Sequence, residues 1–150
     1  RYIRRGYPLS CFDQAMQSLH QAGLEVIVHT ILGLPGETSK DVLDTMKYLN
    51  TCQIQGIKLQ LLHVLSGTDL AADYQAGKFS VLDREEYIDL VIRCLEHLDP
   101  SIVIHRVTGD GPKDLLIAPL WASRKREVLN LLHHQMKEKG SYQGKAFTQV

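Results

Sequence analysis

The stretch HTILGLPGETSKD, His29 to Asp41, carries the most ligand-oriented chemistry of the sequence. Pro35 fixes φ for the second position of a turn, and Gly36 accepts the positive φ that a type II turn needs at its third. Gly33, without a Cβ, allows a ligand to approach the backbone. Glu37 follows, and the polar cluster after it starts a helix whose first amides are hydrogen-bond donors. The same residue types also suit a plain tight connection between a strand and a helix, so the loop alone leaves both readings open. It is not a phosphate loop: GxxxxGK[ST] and GxGxxG are both absent.

A second candidate group follows from alternation in GIKLQLLH. Ile57, Leu59 and Leu61 fall on one face of a strand and Lys58, Gln60 and Leu62 on the other. If the apolar set packs under helices, Lys58 and Gln60 face an interior where polar groups need a partner, such as a substrate; the other reading is a solvent-facing edge. By the same rule His29 shares a face with Ile31 and Gly33. His63 and His105 lie in or just beyond strands, and His133 and His134 lie on a late helix. No HxH or HxxxH pair occurs, so no metal site is expected. Cys11, Cys52 and Cys94 are odd in number, widely spaced and lack CxxC, which fits reduced thiols of a cytoplasmic protein rather than a disulfide framework.

These residues need elements to position them. The chain of 150 residues, 44% hydrophobic, is sized for one domain. Seventeen basic and seventeen acidic residues cancel, so net charge names no nucleic-acid or membrane partner, although a local basic patch is still allowed. No apolar run reaches the ~20 residues of a bilayer span, no signal peptide is visible, and a cytoplasmic location without membrane partners is expected. Periodicity and capping predict helices over 10–22, 38–52, 68–76, 83–98 and 120–139, with strands over 24–32, 56–62 and 102–107. The run over 24–32 is apolar enough to suggest a strand covered on both faces. Residues 141–150 give no element signal and are read as a tail, a candidate for disorder. The α/β order implies parallel strands with right-handed crossovers. Three strands are few, and the chain opens on Arg1, so 1–140 reads as the C-terminal part of a larger α/β barrel or open sheet.

With the elements in place, HTILGLPGETSKDVLDTMKYL resembles the strand-five motif of radical S-adenosylmethionine (SAM) enzymes, a GxIxGxxE-type segment, with His29 where the family often has glycine. IRRGYPLSCFDQAMQSLHQAGLEV before it and GIKLQLLHVLSGTDLA after it resemble the flanking segments. VIHRVTGDGP and LLIAPLWASRKREVL are similar to a bacterial subgroup related to the Elongator catalytic subunit. The resemblance implies an α/β fold that is the C-terminal part of a (β/α)6 partial TIM barrel plus a C-terminal helix. It implies SAM as cofactor, bound to a [4Fe–4S] cluster held by three cysteines and reductively cleaved to methionine and a 5′-deoxyadenosyl radical. By position, Ile31 would pack on the adenine with Gly33 allowing the approach, Glu37 would brace the loop, and the backbone of Leu62, His63 and Val64 would meet the adenine edge. Arg5 would lie near the SAM carboxylate. His29, Lys58 and Gln60 are the substrate-facing candidates; no catalytic residue is assigned. The three cysteines match none of the cluster triad, so the cluster ligands are expected upstream, and these residues alone are expected to be inactive.

Related branches modify tRNA, which makes tRNA the expected substrate by analogy, with flavodoxin or ferredoxin as electron donor. Two alternatives remain: a radical SAM enzyme acting on a small metabolite, as in the coproporphyrinogen dehydrogenase branch, and a non-catalytic α/β binding module whose GLPGET is a structural turn.

Overall fold

A computed structural model describes residues 6–148. The elements run α1 (Leu9–Gln21), β1 (Ile27–Leu32), α2 (Ser39–Thr51), β2 (Gly56–Leu61), β3 (Val64–Leu65), α3 (Asp69–Gln75), α4 (Arg84–His97), β4 (Val103–Arg106), β5 (Leu116–Ala118), a 3-10 turn (Leu120–Ser123) and α5 (Lys125–Glu138). Local chemistry sets several starts. Thr38 and Asp83 cap α2 and α4 with reciprocal capping boxes to Asp41 and Glu86, and the Thr68 hydroxyl accepts from the Ala71 amide at the start of α3.

Strands β1, β2 and β4 form a parallel sheet in the order β1-β2-β4. On one face Ile57, Leu59 and Leu61 meet Met16 of α1, Val42 and Met46 of α2, Tyr87, Ile88 and Val91 of α4, and Val128 and Leu132 of α5 in a single core. The other face is uncovered: Ile27 is 41% exposed, Ile31 39% and Val103 57%, and His29 and His105 are exposed as well. The β1 run is therefore covered on one face rather than two. It also starts later than the apolar pattern suggested, because the Gln55 side chain accepts from the Val26 amide and the Gln55 and Gly56 amides donate to the Val26 carbonyl.

Three further differences have physical causes. Val64–Leu65 and Leu116–Ala118 form a short antiparallel pair that strand periodicity cannot reveal in segments of two and three residues. The last helix splits at Arg124, whose ψ of 55° breaks the helical backbone between the 3-10 turn and α5. Residues 141–147 form turns held against the end of α4: the Gly144 and Ala146 backbone amides donate to the carbonyls of Leu95 and Glu96 at 3.0 and 2.8 Å, and the Gln143 side-chain amide Nε2 donates to those of Asp99 and Ile102. Among the described residues no helix is long and apolar enough to cross a membrane.

Candidate functional site

Ligands of parallel α/β folds bind beyond the C-terminal ends of the strands. At that end of β1 the Glu37 amide donates to the Leu34 carbonyl at 3.0 Å, and Gly36 has φ +80°, as a type II turn requires. Gly33 has φ +84°, and a Cβ there would come 3.1 Å from Leu82 Cδ1. The structure thus gives Gly33 two reasons of its own to be glycine: a left-handed backbone and the Leu82 side chain filling the space beside it. The Thr38 cap occupies the Asp41 amide, and the Asp41 carboxylate accepts from the Thr38 amide and hydroxyl, which holds its pKa down.

Glu37 folds back on its own loop. Burial pushes its carboxyl pKa up, the Leu34 backbone hydrogen bond pulls it down and Asp41 raises it. Its Oε2 is shut away without a hydrogen-bond partner among the described residues.

The open face places the remaining candidates in register. His29 lies beside Lys58 and Ile31 beside Gln60, both pairs across β1 and β2. Lys58 and Gln60 are half-buried on the face opposite the fully buried Ile57 and Leu59. At the lower end of this face Gly56 makes room for His105, since a Cβ there would meet the imidazole Nε2 at 2.5 Å.

Leu62, His63 and Val64 have separate surroundings. The Leu62 amide donates to the Leu32 carbonyl at 2.9 Å, tying the strand ends together. Val64 is fully buried in a second small cluster with Ala71 and Ala118, so its side chain is withdrawn from any ligand. His63 is wrapped by the loop after β4: Cβ atoms on Gly109 and Gly111 would fall 2.7 and 2.4 Å from its ring. Its Nε2 is buried without a hydrogen-bond partner among the described residues. Burial lowers the His63 pKa, opposed by Asp110. The sequence reading missed this wrap because its partners lie far apart in the chain; the paired glycines of TGDG were the available signal. Arg5 lies outside the described residues.

The cysteines do not converge. Cys11 is exposed on α1, Cys52 is half-buried at the end of α2, and Cys94 is buried in α4, where burial pushes its thiol up to about 12. Among the described residues no group of three or more His, Cys, Asp or Glu side chains is placed to hold a metal. The residues present fit one wall of a SAM site, an exposed apolar side chain beside a carboxamide under a strand-end turn. They do not fit an iron–sulfur cluster.

The fold is that of the radical SAM proteins. Residues 54–138 match the Radical_SAM C-terminal domain, and the chain belongs to that family. Protein YtqA of Bacillus subtilis is 38% identical over 148 residues, covering 99% of this chain and 46% of YtqA. Elongator complex protein 3 of Schizosaccharomyces pombe is 24% identical over 131 residues, covering 85% of this chain and 24% of that protein. The solved structure of the archaeal Methanocaldococcus infernus Elp3 with an N-terminal deletion shares the fold, with TM-score 0.79 at 21% identity over 93% of this chain and 33% of that one. The chain therefore spans less than half the length of YtqA.

Proposed function

We propose that these residues form the adenine wall of the SAM site in a radical SAM enzyme, and that the enzyme modifies tRNA in the cytoplasm. The observation that carries the reading is the row formed by Ile31 and Gln60, directly below the Gly33–Glu37 turn on the uncovered face of the sheet. Ile31 offers an apolar plate for a purine face, and Gln60 brings both donor and acceptor to a purine edge. The main chain from Leu62 to Val64 lies at the same strand end, and Glu37 keeps the turn in shape. Gln60, expected from the sequence to face substrate, is assigned here to SAM instead, while His29 and Lys58, one step further down the face, stay assigned to substrate and Arg5 to the SAM carboxylate. SAM, when bound, supplies the bond whose one-electron reductive cleavage at a [4Fe–4S] cluster begins radical chemistry. The cluster cysteines are assigned to residues outside this chain, and the electron to a flavodoxin or ferredoxin.

The wall is tested in the full-length protein by Ile31→Glu. Labelled SAM in equilibrium dialysis should no longer be retained while the circular dichroism spectrum is unchanged; wild-type retention overturns the assignment. The substrate is tested by nucleoside analysis of total tRNA from a deletion strain. Loss of one modified nucleoside is expected, and an unchanged profile counts against tRNA and for a small metabolite.

A further inference from the structure

The starts of α4 and α5 lie at the same end of the sheet as Gly33 and His63. Helix α4 leads into β4, which runs parallel to β2, so α4 begins at the strands' C-terminal end. Lys125, the first residue of α5, reaches Asp110 at 3.4 Å in the loop that wraps His63. Trp121 Nε1 donates to the Leu82 carbonyl at 3.1 Å, and Leu82 is the residue packed against Gly33.

Between the two helix starts is a cavity of about 410 Å³, lined by Arg84, Leu120, Trp121, Ser123, Arg124 and Glu127 together with Val128. That volume falls in the range of roughly 300–1,000 Å³ found for small-molecule sites. Its lining combines two guanidiniums and a hydroxyl with an apolar plate. Trp121 is held rigidly by its bond to Leu82 and by packing on Tyr87, the ring centroids 5.5 Å apart. Leu120 beside it is 69% exposed, an unusual state for a leucine whose neighbours form a concave surface. Arg84 rests on Glu85 at 2.7 Å and Arg124 on Glu127 at 3.7 Å. Exposed pairs of this kind hold weakly, so a phosphate is able to take over both guanidiniums. Glu127 also faces the cavity, so with Glu85 the two guanidiniums each have one carboxylate partner that a phosphate must displace.

Cations beside a fixed aromatic plate are what an unstacked nucleotide requires, its phosphate on arginine and its base on the ring. We infer that this cavity takes one unstacked nucleotide of the RNA substrate, outside the reaction site. The inference rests on the RNA reading above.

The test is fluorescence anisotropy of labelled tRNA with the full-length protein across a KCl series. For Arg84→Gln with Arg124→Gln, affinity should fall about tenfold and the slope of log K against log[salt] should flatten by about 0.7, the value for one single-strand phosphate contact. Leu120→Glu, which adds a charge to the plate at an exposed position, should weaken binding several-fold, and Lys137→Gln at the far end of α5 should change nothing. Wild-type affinity and slope in the double arginine variant and in Leu120→Glu overturn the inference while leaving the RNA reading in place. A wild-type protein that binds SAM but no tRNA overturns the reading, and the inference with it.

Discussion

The two faces of the three-stranded sheet are made by the same backbone and have opposite tasks. Toward the helices, Ile57 and Leu59 are completely buried within the apolar core. One residue along in each direction, the open face carries His29, Ile31, Lys58 and Gln60, a mixture that no core would assemble. A β-strand separates the two environments by its period of two, so the packed face and the open face are written in alternate letters of one short segment. Substitutions in neighbouring positions should therefore differ in kind as well as in size.

The largest effect belongs to the buried face. Leu59→Ala should cost about 2–5 kcal/mol in urea denaturation, the usual range for a leucine removed from a packed core. If it costs no more than Ile31→Ala, the contrast between the faces is lost. Next comes the junction at the strand ends. Gly111→Ala places a methyl where the His63 ring is, and should destabilise by about 1–3 kcal/mol. Combining it with His63→Ala should recover much of that loss in a double-mutant cycle, and strict additivity would show that the wrap is not the cause. On the open face Ile31→Glu should change unfolding free energy by less than about 0.5 kcal/mol, as surface substitutions do, while removing SAM binding in the full-length protein.

The smallest effect is a pH dependence. Burial sets the folded His63 pKa below its ordinary 6.5, so the unfolded chain takes up the proton first as pH drops. Stability should decline as pH falls through 6.5 toward the lower folded value, and should be independent of His63 above 6.5. Urea midpoints between pH 7.5 and 5.5 for wild type and His63→Gln check this; an identical decline in both assigns it to other groups.

What the sequence made legible was local. The alternation through Lys58, Leu59 and Gln60 needs only the strand period, and the cap at Thr38 needs only the side chain and the residues just after it. The turn at Leu34–Glu37 followed in the same way from Pro35 and Gly36. What the sequence hid depends on distant partners. The fully buried Val64 is explained by its pairing with Ala118, and the wrap of His63 by glycines in the loop after β4. The covering of β1 was overestimated because an apolar run does not say whether its second face meets a helix or a ligand. Residues 141–147 are held by the Ser141 hydroxyl donating to the Glu96 carboxylate and by the Gln143 side-chain amide donating to main-chain carbonyls, a pattern with no period to detect.

The order β1-β2-β4 leaves β1 with one strand neighbour among the described residues, and every second residue of its six turns its amide and carbonyl toward the open edge. With Ile27 and Ile31 exposed beside that edge, the chain on its own is a template for another strand. Prepared in isolation, it should self-associate as its concentration rises, and lysine at Ile27 should raise its solubility.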